Sequence, residues 1–199
     1  MALLRVFART RVNRGRQGLS RIWWVMAGLV FSGALDSPAQ TPPAPEYQVK
    51  AVFLFNFAQF VDWPANVFPE TRTPLVIGVL GEDPFGAYLD ETVRGEKVND
   101  RSLVVQRYHR VEEIKACHIL FISRSEREKL ELIFANLKGR NILTVGDAVG
   151  FAQRGGMIRF VTEKNRIRLR INLEAAKAAG LTISSKLLRP AAILAPGED

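Results

Sequence analysis

Apolar positions along this chain follow three rhythms, and each predicts a different kind of element. Residues 75–80 (LVIGVL) are apolar without a break, as expected of a strand covered on both faces. Residues 103–108, 117–122 and 141–145 predict three more strands. Between them lie helical stripes. Phe85, Tyr88, Leu89 and Val93 form one, opened by an Asp83-Pro84 cap with proline at the first helical position. Leu130, Ile133, Phe134 and Leu137 form the other at i, i+3, i+4, i+7, with Ser125-x-x-Glu128 as a capping box and Gly139 as the stop. Residues 111–115 read as a short connector. Beyond Gly155-Gly156, which reads as a turn, the period changes to two. Residues 157–163 and 166–172 alternate on either side of Lys164-Asn165 and predict a β-hairpin. A helix over 173–179 stops at Gly180, and 181–188 fits a strand or a short helix. Strands alternating with helices argue for an α/β fold, a mostly parallel sheet flanked by helices, ending in a β-hairpin and helix.

A further helix is predicted over 47–61, stopped by Trp63-Pro64 because the residue before proline avoids the α region. At about 100° per residue, Gln48, Asn56, Gln59 and Asp62 share one sector, with Phe53, Leu54, Phe57, Phe60 and Val61 opposite. Three positions break the pattern. Val52 and Phe55 fall in the polar sector, which suits either a helix buried nearly all round or a second, partner-facing surface. Lys50 falls in the apolar sector, where a lysine either snorkels or meets a carboxylate.

Residues 1–39 have a different character. Six arginines precede the first acidic residue, Asp36, and the apolar run Ile22 to Phe31 leads into small residues around Ala34 and Ala39. That is the form of a secretory signal peptide, and the run is too short for a bilayer core. Residues 40–46 (QTPPAPE) read as a proline-rich linker, and 47–192 as one domain. The charge argument changes accordingly. Of the net +8, the leader holds +5, and the remaining +3 gives no reason to expect nucleic-acid binding. Cys117 is the only cysteine, so no disulfide forms within the chain, and its apolar setting reads as a small buried hydrophobe.

Catalytic constellations are missing from the sequence. His109 and His118 have no metal-ligand spacing, and there is no phosphate loop and no nucleophile elbow. The expectation is a protein that is not an enzyme and needs no cofactor and no metal. Asp147 follows the fourth strand, at the carboxyl end where α/β sheets take ligands. Gly146-Asp147-Ala148 opening a helix could present free N–H groups, although an N-cap is the simpler role for Asp147. In the hairpin, Arg166, Arg168 and Arg170 share a face, joined across the pair by Arg159. This stripe could hold an anion or an acidic partner, or be solvated surface.

Residues 47–64 (YQVKAVFLFNFAQFVDWP), 141–150 (NILTVGDAVG), 155–158 (GGMI) and 171–188 (INLEAAKAAGLTISSKLL) together resemble, in order, the blocks of the YfiR family of exported bacterial proteins. Lys50, Asn56, Phe57, Trp63 and Pro64 match the opening block. The resemblance implies a periplasmic α/β protein that restrains an inner-membrane diguanylate cyclase through its periplasmic region, lowering cyclic-di-GMP and biofilm formation. It also implies an outer-membrane lipoprotein as a possible competitor, and a homodimer as a possible state. With Cys117 alone, a redox switch within the monomer is excluded.

Two functions from different classes follow. In one, a regulatory protein grips a receptor's periplasmic domain, using Lys50, Val52 and Phe55 on the first helix and Arg166, Arg168 and Arg170 on the hairpin. In the other, a small-ligand sensor feeds a receptor such as a histidine kinase and binds its ligand around Gly81, Glu82 and Asp147.

Overall fold

The computed structural model describes residues 44–199 apart from 71 and 196. The expected leader and linker residues 40–43 lie outside the described residues. The first helix, α1 (Pro45–Phe60), takes in the last two linker residues. Proline has no N–H to lose in a first turn, and Glu46 is an acidic residue favoured there. The helix ends one residue before the predicted stop, and the short strand β1 (Val61–Asp62) follows.

The main sheet is built from β2 (Leu75–Leu80), β3 (Lys97–Val98), β4 (Arg101–Tyr108), β5 (Ile119–Ile122), β6 (Leu143–Gly146), β7 (Ile158–Glu163), β8 (Arg166–Ile171) and β10 (Ala192–Ile193). Its order is β10-β8-β7-β6-β5-β2-β4-β3. The stretch from β4 through β2, β5 and β6 to β7 is parallel. The β7–β8 hairpin and the β3–β4 edge are antiparallel. Strand β9 (Thr182–Ile183) pairs with β1 in a separate two-stranded ladder. The expected mostly parallel α/β sheet with a hairpin is therefore present.

Helix α2 (Ala87–Val93) packs with α1 on one face of the sheet, over a core of Leu54, Phe57, Ile77, Phe85, Phe121 and Ile158. Helix α3 (Leu130–Leu137) covers the other face through Leu80, Leu120, Ile122, Ile133 and Phe151. Both hairpin turns carry two consecutive residues at positive φ, Asn99-Asp100 and Lys164-Asn165, the backbone that two-residue turns demand.

Three caps differ from expectation. Asp83 accepts from the Phe85 N–H as foreseen, but Gly86, at φ 54°, delays α2 to Ala87. Ser125 does not cap α3. Its hydroxyl accepts from the Glu82 N–H, and a 3₁₀ turn over Arg124–Lys129 intervenes, capped by Ser123. The helix expected after Asp147 is a series of turns. By contrast, Asn172 caps α4 (Leu173–Ala178) by accepting from the Ala175 N–H. The segment 181–188 is both things the sequence allowed, β9 followed by α5 (Ser185–Leu188).

Candidate functional site

The first two turns of α1 bring Glu46, Tyr47 and Lys50 over the carboxyl end of β6. Lys50 is fully buried, with its Nζ 2.5 Å from Glu46 Oε1, one turn away, and 2.5 Å from Asp147 Oδ2. The Tyr47 hydroxyl donates to the same Asp147 oxygen at 3.0 Å, and its ring lies 4.3 Å from Nζ. Arg124 Nε stands 3.1 Å from Asp147 Oδ1. Two cations thus meet two carboxylates, with Lys50 and Asp147 shut off from water. Burial, then the charge of Asp147, pushes the Tyr47 phenol up to about 12. The Lys50 hydrogen bond holds the Glu46 carboxyl below its ordinary value.

This arrangement corrects two expectations. Lys50 meets carboxylates, as a lysine in an apolar sector can, so its ammonium is not at the surface for a partner. Asp147 is neither an N-cap nor a free ligand group, because its side chain is fully enclosed by these cations.

The residues expected to hold a small ligand do not share one cavity. Gly81 and Glu82 line a cleft of about 460 Å³ with Asp83, Arg107, His109 and Ser125. Asp147 lines another of about 500 Å³ with Arg124, Arg127, Val149, Arg159 and Phe160. The wall between them stands where the chain, having built β4 on one side of β2, crosses to β5 on the other. Such switch points normally leave a crevice. Here the turn after β5 fills it. A Cβ on Gly81, which sits at φ +88°, would overlap Ser125 Oγ. Glu82 is exposed. Beside it Arg107 pairs with both Asp83 and Asp90, at 2.7 and 2.5 Å.

The residues expected to meet a partner divide as well. Val52 is exposed, while Phe55 is half-buried and packs against the core. Arg166 and Arg168 are exposed, Arg170 is half-buried and Arg159 is buried. Sequence reading overlooked Val49, exposed one turn before Val52 on the same side of α1. The i, i+3 spacing of the two valines was the available signal. It also overlooked Val149, exposed beside Asp147.

Cys117 is buried, and burial pushes its thiol up to about 12, a setting that suppresses the thiolate. His118 is buried too. Its Nδ1 accepts from the Val76 N–H at 3.0 Å, and the Phe68 ring stacks on it at 4.6 Å. Burial first, and then Arg101, lowers its pKa to about 4. The unfolded imidazole, near 6.5, therefore takes up a proton that the folded one refuses. Stability is expected to fall as pH drops from about 6.5 to 4, by roughly 2 kcal/mol. His118→Asn, whose amide oxygen can accept from Val76, should flatten that slope in urea titrations across the same pH range. A slope unchanged in the variant would assign the effect to other groups.

Among the described residues, no helix is long and apolar enough to cross a membrane, and no group of three or more His, Cys, Asp or Glu could hold a metal ion.

A family model described as YfiR/HmsC-like matches residues 47–192. No curated protein matches this chain closely enough to serve as a relative.

Proposed function

The chain belongs to the YfiR/HmsC-like family, and on that premise we propose that it is a periplasmic regulatory protein that restrains an inner-membrane diguanylate cyclase by gripping its periplasmic domain. The observation that carries this reading is the span of the family match, which takes in α1 from Tyr47 onward, the main sheet from β2 through β8 and α4, and ends on the first residue of β10. The exposed faces supply the means. Val49 and Val52 stand 47% and 41% exposed one helical turn apart, on a helix whose other apolar residues turn inward. Arg166 and Arg168 stand exposed on the hairpin and suit an acidic surface. The proposed grip is apolar at α1 and electrostatic at the hairpin, with the charges setting mainly the association rate.

Val52→Asp is expected to weaken capture of the cyclase's periplasmic domain at least tenfold and to leave the thermal midpoint within a degree or two. Cells carrying the variant should show raised cyclic-di-GMP and more surface attachment. Unchanged capture by Val49→Asp and Val52→Asp alike would remove α1 from the interface. Recovery of a sensor kinase in place of a cyclase would move the protein to the alternative class.

That alternative, a small-ligand sensor feeding another receptor, is favoured by one feature. The 500 Å³ cleft is open, and Arg124, Arg127 and Arg159 converge on it. Its size suits a small molecule, and ligand and partner could act together.

A further inference from the structure

Arg159 on β7 and Arg170 on β8 are directly opposed in the hairpin register. Their neighbours Phe160 and Leu169 belong to the core beneath α1, with Phe160 stacked on Phe57 at 5.9 Å. Strand alternation therefore sends both guanidinium groups to the other face of the sheet. Like charges set directly across a strand pair repel. The repulsion is sharpened here, because the Arg159 side chain is only 10% exposed and has little water to screen it.

An anion resolves the conflict, and it comes from the chain itself. The Asp199 carboxylate accepts from Arg159 Nη1, from the Gly150 N–H at 2.8 Å and from the Ala152 N–H at 3.2 Å. Arg170 Nη1 donates to the main-chain oxygen of Asp199, while Arg170 Nη2 faces Glu163 Oε1 at 3.3 Å. The two amides belong to the turns after β6, where a helix was expected. Those turns direct their N–H groups at the Asp199 carboxylate. Arg159 Nε is buried with no hydrogen-bond partner, so the site holds one more donor than Asp199 uses.

The occupant is lightly tethered. It is led in by β10, a two-residue edge strand with both residues exposed, and by a turn in which the Ala195 N–H donates to Glu198 Oε2. Arg159 also lines the open 500 Å³ cleft with Arg124 and Arg127. A displaced Asp199 would free the Arg159 guanidinium, which lines that cleft, together with the Arg170 guanidinium and the two backbone amides that share its carboxylate and main-chain oxygen.

We propose that Arg159, Arg170 and the Gly150 and Ala152 amides form a binding site for a small oxyanion, a carboxylate or a phosphate group, and that Asp199 is a tethered occupant the ligand must displace. The donor set fits that chemistry, since guanidiniums and converging backbone N–H groups both recognise planar or tetrahedral oxyanions. Tethering gives Asp199 an effective concentration in the millimolar range, so it competes with free anions without excluding a good ligand.

The test is calorimetric titration of the purified protein with inorganic phosphate and, separately, with acetate, at constant ionic strength. Asp199→Ala is expected to bind at least one of the two at least tenfold more tightly than the unaltered chain, and the preferred anion names the source. Adding Arg159→Gln to Asp199→Ala should abolish the gain. If Asp199→Ala does not fold, Asp199→Asn removes the charge while keeping an acceptor and serves the same comparison. Equal affinities with and without Asp199, or a gain that survives Arg159→Gln, would overturn the site. Neither outcome depends on the membrane partner, so failure here is distinguishable from failure of the regulatory reading.

Discussion

Lys50→Met should destabilise the domain by about 3–5 kcal/mol, the usual consequence of stranding one partner of a buried ion pair. Methionine matches the lysine stem in length, so little of the loss arises from packing. What is lost is the ammonium 2.5 Å from both Asp147 and Glu46. Glu46 is partly exposed and can turn to solvent, but the Asp147 side chain cannot. Asp147 would retain the Tyr47 hydroxyl and Arg124, whose own side chain is 59% exposed and correspondingly weaker as a counter-charge. A loss of that size lowers the thermal midpoint by roughly 6 °C or more in a domain of this length. The companion variant is Lys50→Met with Asp147→Asn. It leaves no buried charge, and the new amide oxygen can still accept from Tyr47, so much of the stability should return. A double variant no more stable than Lys50→Met alone would mean that the pairing of charges is not what holds α1 to the end of β6.

The second large effect is expected at Gly156→Ala. A Cβ there would overlap the Phe151 ring, and one on Gly146 would overlap the opposite edge of the same ring. Phe151 is fully buried, its ring edge-to-face with Phe134 at 5.4 Å, and the Gly156 N–H donates to the Phe151 carbonyl at 2.9 Å. Held between two glycine backbones, the ring has no direction in which to yield. Overpacking of this kind costs about 3 kcal/mol, at the upper end of the range. Phe151→Leu alone should also destabilise, by leaving a cavity. Combined with Gly156→Ala it should cost clearly less than the two changes added together, because the new methyl occupies space the ring has vacated. Strict additivity in urea unfolding would show that residues 151 and 156 are not packed as one unit.

Much of the architecture was legible because burial on two faces leaves an unmistakable pattern. The unbroken run of β2 and the i, i+3, i+4, i+7 stripe of α3 both ended close to where they were predicted. So did the period-two hairpin around Lys164-Asn165. The short pieces were not legible. Strand β3 has two residues, too few for any rhythm, although Asn99-Asp100 is a turn signal that could have revealed it. Strand β10 is likewise only two residues, Ala192 and Ile193, again too few to show a period. The capping box at Ser125 misled because a hydroxyl serves whichever N–H the fold brings nearest, and the fold brought Glu82.

The site divides along the same line. Sequence marked Lys50 as out of place in an apolar sector, Asp147 as standing at a strand end, and Arg159, Arg166, Arg168 and Arg170 as sharing one face. Each of those statements concerns a residue and its near neighbours along the chain, where helix and strand periods decide which way a side chain points. That Lys50 and Asp147 satisfy each other, 97 positions apart, was decided only by the docking of α1 over β6. So was the separation of Gly81 from Asp147 by the turn after β5, and the capture of Asp199 between two arginines 29 and 40 positions away. The physical reason is range. Backbone periodicity orients side chains over a few residues, whereas the pairing of buried charges is settled by which distant carboxylate is within reach once water has been excluded.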